Sequence, residues 1–481
     1  MASVLDPTTG LLARASVGLG LACAAFAFPA AAQTVPVPSA NPIASTTTVL
    51  TDSSLITSPQ PSAPALTPAI SSIDDDLVEP AGPQSNRIDT REGTIDGLRP
   101  RLDPTRNDAP GIRLGSFVLK PTLSEKIVHE NTDDTDGKRS RSFLETGGNG
   151  VLTSDWSRHQ LVVTGDGAWQ NNISGRGQTR PRADIDARLR LDIDHATIAN
   201  FNAGYSFRRE DATDPNALSN ADTQAGVSRT VLGAGIARDL GLLRGGVKLD
   251  LERYSYGNAR LINGQSLSLR DRNRDQATLT GRLGFELSPA LVPFIEAAVG
   301  TSRYELRRDF QGYERSARTT AARTGVELDM GEKLRGELAL GYEKAKFRDV
   351  RLRALDAFTV DGRVVWSPHR GTDVTLGLAT AIEPSTTAGE SGSVNYTLSA
   401  DIRHELRSTM VAQLTNSLTL RDYSNSAFSN DEKIWFSSAG LTWNFSRYLA
   451  LTGDVSYERT TQANAADTSI TRVGVGLALR R

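Results

Sequence analysis

From Arg113 onward the chain repeats one pattern: apolar and polar residues alternate with a period of two, and many of the polar positions are charged. The clearest stretch carries Ile185, Ala187, Leu189, Leu191 and Ile193 on one face, and Asp184, Asp186, Arg188, Arg190, Asp192 and Asp194 on the other. A helix would scatter these residues around its axis, whereas a strand separates them. The division recurs with Lys248, Asp250 and Glu252 against Val247, Leu249 and Leu251. Arg282 and Glu286 oppose Leu279, Leu283 and Phe285, and Arg335, Glu337 and Glu343 oppose Leu338, Leu340 and Tyr342. Asp401 and Arg403 oppose Tyr396, Leu398 and Ile402, and Asp361 and Arg363 continue the charged series.

A soluble β-sandwich also alternates, so the length and charge of these segments decide the reading. Many run to about 10 residues or more, longer than the usual soluble strand and long enough to cross a bilayer at a tilt. The charged face carries both signs, and a dry core could not hold so many ions. A wet lumen can. Trp156, Trp366, Trp443, Phe445 and Tyr448 lie beside predicted short turns, where an interfacial aromatic girdle is expected. No apolar run beyond the first 35 residues reaches the ~20 residues of a spanning helix. The expected fold is therefore all-β, a closed antiparallel transmembrane barrel.

Strand number follows from the breaks. Short ones fall at Asp155-Trp156, His195-Ala196, Asp239-Leu240, Ser288-Pro289, Met330-Gly331, Ser367-Pro368, Leu406-Arg407 and Ser446-Arg447. Longer polar stretches lie between them, at 209–223, 256–275 and 307–318. Short turns at one end and long loops at the other are the pattern of an outer-membrane barrel. Nine hairpins give about 18 strands, with 16 as the alternative count. Val473, Val475, Leu477 and Leu479 form an outward face for the last strand. The signal read there by the barrel-insertion machinery usually ends in an aromatic residue, whereas this chain ends in Arg480-Arg481.

The N-terminal part is different material. Residues 15–28 are apolar, with Arg14 before them and Ala30-Ala31-Ala32 after them. Residues 1–32 thus read as a secretory signal peptide. The single cysteine, Cys23, lies inside it, which excludes a disulfide framework and a Cys-based zinc site. Residues 33–110 are rich in Pro, Ser, Thr and Ala at first, then in Asp and Pro, and too poor in apolar side chains to form a core. They are expected to be a disordered periplasmic linker or tether, and a partner in the periplasm could engage them. The barrel is expected over 111–481.

The barrel opens with Gly111-Ile112-Arg113-Leu114-Gly115-Ser116-Phe117-Val118-Leu119-Lys120-Pro121-Thr122-Leu123. With the hairpin run behind it, this region resembles the family described as putative β-barrel porin 2, of Gram-negative outer membranes. The resemblance covers about residues 111 to 481 and rests on glycine, aromatic and turn patterns. It implies a porin-like pore and supplies no catalytic or ligand residues.

Little in the sequence suggests reaction chemistry. The histidines His129, His159, His195, His369 and His404 show no zinc-site spacing. No Gly-x-Ser-x-Gly turn stands out. The Asp-rich loop at 131–138 lacks a full calcium ligand pattern. No metal, cofactor or catalytic residue is expected. With 54 Lys+Arg against 56 Asp+Glu the chain has no basic footprint for nucleic acid. The leading expectation is a porin-like channel for passive diffusion of small hydrophilic solutes or ions across an outer membrane. The alternative is a dedicated export or assembly barrel, such as a polysaccharide exit, and a barrel hydrolase ranks third. The candidate pore-lining residues are Asp184, Asp186, Arg188, Arg190, Asp192, Lys248, Asp250, Glu252, Arg282, Arg335, Glu337, Asp361, Arg363, Asp401 and Arg403, with no strong ion selectivity expected.

Overall fold

The computed structural model describes residues 109–481, apart from 135–136, 176, 212–213, 215, 219, 332, 388, 424–430 and 463–465. The expected signal peptide, and the expected linker up to residue 108, lie outside the described residues. The first strands are β1 (Phe117–Asp134), β2 (Gly137–Ser154), β3 (Gln160–Gly175), β4 (Arg182–Asp192), β5 (Thr197–Arg209) and β6 (Gly226–Asp239). They continue with β7 (Leu243–Tyr256), β8 (Arg274–Phe285), β9 (Leu291–Tyr304), β10 (Ala317–Asp329), β11 (Leu334–Phe347) and β12 (Leu355–His369). The last are β13 (Thr372–Pro384), β14 (Gly392–Arg407), β15 (Met410–Tyr423), β16 (Glu432–Asn444), β17 (Leu449–Gln462) and β18 (Thr468–Arg480).

Each strand pairs antiparallel with the next, and β18 pairs with β1 from Thr122↔Arg480 to Asp133↔Ser469. The result is a closed barrel of 18 strands. Closure leaves the wall no open edge, as hydrocarbon requires.

At one end the hairpins turn tightly, at 155–159, 193–196, 240–242, 286–290, 330–333, 370–371, 408–409 and 445–448. Five of these turns contain both residues expected there, and turn 240–242 contains Leu240 while Asp239 ends β6. The turns expected at Ser367-Pro368 and Leu406-Arg407 sit two or three residues later, because β12 and β14 run on before turning. At the other end the longest connections are 210–225, 257–273 and 305–316.

The two faces of the wall invert the order of a soluble protein. Leu123, Ile127, Ile185, Val247, Leu279, Ile295, Leu340, Leu398, Val475 and Leu477 all point outward and are exposed. Burying one such side chain is worth about 1.5–3 kcal/mol, so a continuous belt of them demands an apolar surround. Aromatic residues border the belt. At the short-turn end, Phe117 meets Trp156 edge-on at 5.5 Å and Trp443 meets Phe445 at 4.3 Å. At the long-loop end, Trp435 meets Tyr457 at 5.7 Å. Inward-facing Lys126, Glu130, Arg141, Glu145, Glu296, Arg323, Glu343 and Arg472 are instead buried.

This polarity predicts an asymmetric response to charge. Ile295→Arg, in the middle of the outer face, is expected to destabilise the barrel by about 2–4 kcal/mol in a bilayer. Urea titration in lipid vesicles, read by heat-modifiable gel mobility, measures it. A loss under 1 kcal/mol would contradict the outward placement.

Candidate solute pathway

Alternation places the candidate residues on the inner, polar face of the wall. On β4, Arg188 Nε lies 2.7 Å from Asp186, and Arg190 Nε lies 2.9 Å from Asp192. Each pair lies two residues apart along one strand, with side chains about one-third exposed or more. The neighbouring inner positions on β5 are Ser206, Gly204, Asn202 and Asn200, which are small or neutral. On β7, Lys248 holds Asp250 at 3.0 Å, and Arg229 of β6 reaches Glu252 at 3.0 Å. On β14, Asp401 accepts hydrogen bonds from Gln413 Nε2 at 2.8 Å and from Thr415 Oγ1 at 2.7 Å. Arg403 sits opposite Asp373 in register, Arg335 opposite Asp329, and Arg363 opposite Glu337.

Elsewhere the inner face departs from a simple wet wall. Arg323 of β10 is 1% exposed and is surrounded by Glu296 at 3.3 Å, Glu343 at 2.9 Å and Asp361 at 3.3 Å. Arg282 holds Glu337 at 2.9 Å and Glu327 at 3.7 Å. A second network centres on Glu130 of β1, held by Arg141 at 2.6 Å and Arg472 at 2.7 Å. Beside it Lys126 pairs with Asp454 at 2.9 Å. Arg421 of β15 pairs with Glu432 of β16, both buried. Of the candidate residues, Asp250, Glu337 and Asp361 are buried in such pairs, while those on β4 remain open to the lumen.

The long connections explain this burial. Loop 210–225 leaves the wall and leans inward. Glu210 pairs with Arg272 at 3.3 Å, and Asp211 with Arg180 at 3.1 Å. Farther along, Asn216 Nδ2 donates to the Pro384 carbonyl at 3.2 Å, and Asn216 Oδ1 accepts from Thr386 N at 2.8 Å. The β13–β14 hairpin lies eight strands further round the wall from β5–β6, so these bonds bridge the barrel mouth.

The hairpin leans in as well. The β12–β13 ladder ends at Gly362↔Leu378, and above it Thr380 Oγ1 substitutes, accepting from Val360 N at 2.9 Å. Ile382 and Val394 then pack with Leu355, Phe347 and Tyr304, apolar residues under the mouth. Arg315 fixes the hairpin tip. It pairs with Asp309 at 2.6 Å and donates to the carbonyls of Ser385, Glu390 at 3.0 Å and Thr387 at 2.8 Å.

Asp214 sits on this inward strap and accepts a hydrogen bond from Asp211 N at 2.8 Å. Burial, reinforced by nearby Asp211 and opposed by Arg208 and Arg421, pushes its carboxyl up to about 6. Its charge therefore changes near neutral pH.

The sequence reading missed the strap residues Glu210, Asp211, Asp214, Asn216 and Arg315, because a loop has no period to mark the face it presents. It also passed over Lys126, Glu130, Arg323, Arg421 and Arg472, and it placed Glu343 on the charged face without counting it in the lining. For Lys126 and Glu130 a signal existed, since they alternate with Ile127 and His129. The histidines lie apart: His129 Nδ1 is 2.9 Å from Ser142 Oγ, and His404 Nδ1 is 2.8 Å from Thr372 Oγ1. Residues 131–134 and 137–138, expected as a loop, are the paired ends of β1 and β2, where Asp133 and Asp134 are answered by Lys138 and Arg139.

The model of the family described as "Putative beta-barrel porin 2" matches residues 103–481. The chain belongs to this family. Among solved structures it is similar to the outer membrane protein OpdK of Pseudomonas aeruginosa, at 12% identity and a TM-score of 0.38, covering 76% of this chain and 99% of that one. OpdL of the same organism is similar at 12% identity and a TM-score of 0.35, covering 75% and 99%. OccK2 (OpdF), solved in complex with glucuronate, is similar at 10% identity and a TM-score of 0.37, covering 75% and 98%. No curated protein matches the chain. Family membership agrees with the closed barrel, the apolar belt and the polar inner face: the protein is an outer-membrane β-barrel of the porin type.

The buried networks hold the strands of such a porin together. Removing the central cation in Arg323→Met would leave Glu296, Glu343 and Asp361 uncompensated. A destabilisation of about 3–5 kcal/mol is expected, measured by urea unfolding of the folded barrel. Arg188→Met, in the open lumen, is expected to change stability by less than 1 kcal/mol in the same assay.

Proposed function

We propose that this protein is a passive channel through which small hydrophilic solutes and ions cross the outer membrane. Its narrow part lies where loop 210–225 meets the β13–β14 hairpin. The observation that carries this reading is a polar inner face around a barrel of 18 strands, a size that leaves an aqueous path. The open wall at β4, with Asp186, Arg188, Arg190 and Asp192, supplies both signs of charge and so sets a weak field for either ion. Asp184, Lys248, Glu252, Arg335, Arg363, Asp401 and Arg403 extend that lining. Buried Asp250, Glu337 and Asp361, and Arg282 paired with Glu337, act on the ion through their field rather than by contact. The long loops face outward and the tight turns the periplasm, as in other barrels. β1 starts at the tight-turn end, which supports a periplasmic place for residues 33–110.

Single-channel conductance in a planar bilayer tests the reading. Discrete, reproducible steps are expected, and protein shown to be folded and inserted but silent would overturn it. Asn216→Ala, which removes the bonds across the mouth, is expected to raise conductance or its open-state noise without changing the unfolding midpoint by more than about 1 kcal/mol.

The strap should also respond to pH. Asp214 is neutral below about pH 6 and anionic above it. Its carboxyl is raised on folding, so its contribution to stability is fully present below about pH 4, the unfolded value, and is lost as pH rises to about 6. Raising pH from 5 to 7 adds one negative charge to the narrow part. The reversal potential under a salt gradient is expected to move toward cations over that interval, and Asp214→Asn is expected to reduce the movement.

A further inference from the structure

We propose that the outer face of β7–β11, just beyond the apolar belt at the long-loop end, binds the phosphate-bearing headgroup of a glycolipid in the outer leaflet. This inference rests on the outer-membrane placement above.

Five cations project outward there. Arg253 on β7, Arg303 on β9, Arg318 on β10, and Lys344 and Lys346 on β11 are all exposed. Those on β7, β9 and β11 sit beyond the apolar residues of their own strand: Val247, Leu249 and Leu251 on β7, Ile295 and Val299 on β9, Leu338 and Leu340 on β11. The register makes them one patch. Asp275 of β8 lies opposite both Arg253 and Arg303, Arg318 lies opposite Thr301 and Lys346, and Lys344 lies opposite Thr320 and Asp356. Two carboxylates belong to the patch. Asp275 pairs with Arg253 at 3.4 Å, and Asp356 accepts the Tyr342 hydroxyl at 2.5 Å. Arg303, Arg318, Lys344 and Lys346 form no ion pair among the described residues.

The juxtaposition of Arg318 and Lys346 is the informative feature. Side chains directly opposite on antiparallel strands stand about 4.5–5.5 Å apart, and like charges there repel. Elsewhere along the same rim, Arg459 is answered within the chain by Asp467 at 2.7 Å and Lys138 by Asp133 at 3.8 Å, and Lys433 stands alone with no second cation opposite it. Asp275 faces Arg303 and Asp356 faces Lys344, whereas Arg318 and Lys346 face only Thr301 and each other, so an external anion is what suits that pair. At that height, between hydrocarbon and loops, the membrane offers headgroups. A phosphate accepts several charge-assisted bonds at once, from the fork of an arginine and the ammonium of a lysine. The acyl chains of the same lipid would lie along Leu338, Leu340, Ile295 and Val299.

The test uses the full chain, folded into nanodiscs of zwitterionic phospholipid doped with one of two lipids. One is a diphosphorylated, acylated glucosamine disaccharide, and the other is its dephosphorylated counterpart. Lipid retained after extraction into detergent is counted by native mass spectrometry. Wild type is expected to retain the phosphorylated lipid at least tenfold better. Arg318→Gln/Lys346→Gln is expected to lose that preference, while Arg318→Lys, which keeps the charge, and Lys433→Gln, on the far side of the barrel, are expected to keep it. Heat-modifiable mobility establishes that each variant is folded. Equal retention of the two lipids by wild type, or an undiminished preference in the double variant, would overturn the proposal. So would tight binding of inorganic pyrophosphate with no retention of the lipid, since the site would then serve a free anion. The double variant is expected to conduct like wild type. A wild type that retains the lipid but never conducts would count against the channel reading alone.

Discussion

Everything in this molecule follows from one constraint: backbone N–H and C=O groups in hydrocarbon must find partners within the protein. A sheet meets that demand only by closing on itself. The β1–β18 pairing meets it here, and the periodicity of the side chains follows from the same geometry. Once the wall is a closed sheet, every second residue faces lipid and every other one faces the lumen. The sequence is free to be charged at half its strand positions without violating the membrane's demands.

That freedom is used in two physically distinct ways. At β4 the inner charges face water and pair loosely along the strand, as in Arg188–Asp186. Between β8 and β12, and again between β15 and β3, they are desolvated, and each cation is surrounded by carboxylates, as Arg323 is. The second arrangement exists because loops 210–225 and 305–316 and the β13–β14 hairpin fold over that part of the lumen. An ion removed from water needs a partner of good geometry, and the register of the strands supplies it. Structural and conductive charges therefore share one face of one sheet, and burial separates their roles.

The architecture was largely legible in the residues. Alternation in segments such as 184–194 names the strand and its two faces at once, and pairs such as Met330-Gly331 mark the tight turns. Where it failed by a few residues, as at Ser367-Pro368, the cause was a strand that continued past its turn-favouring residues. The pathway was less legible. Parity assigns Asp361 to the inner face but cannot say that Arg323 buries it. Asn216 looks like any loop asparagine, and only the folded chain brings it against Thr386, 170 positions away. Local pattern carries information about faces, whereas the narrowing of the lumen depends on contacts between distant loops.

The seam between the first and last strands has a kinetic consequence. Glu130 meets Arg472 across it, 342 positions apart in the chain. No local event can bring such residues together, so closure waits until the C-terminal strand has been synthesised and delivered. Every earlier intermediate presents two unpaired strand edges and an apolar outer face, the features that drive aggregation in water. Translation and barrel completion are thus necessarily separated in time, and the chain must be sheltered in the interval.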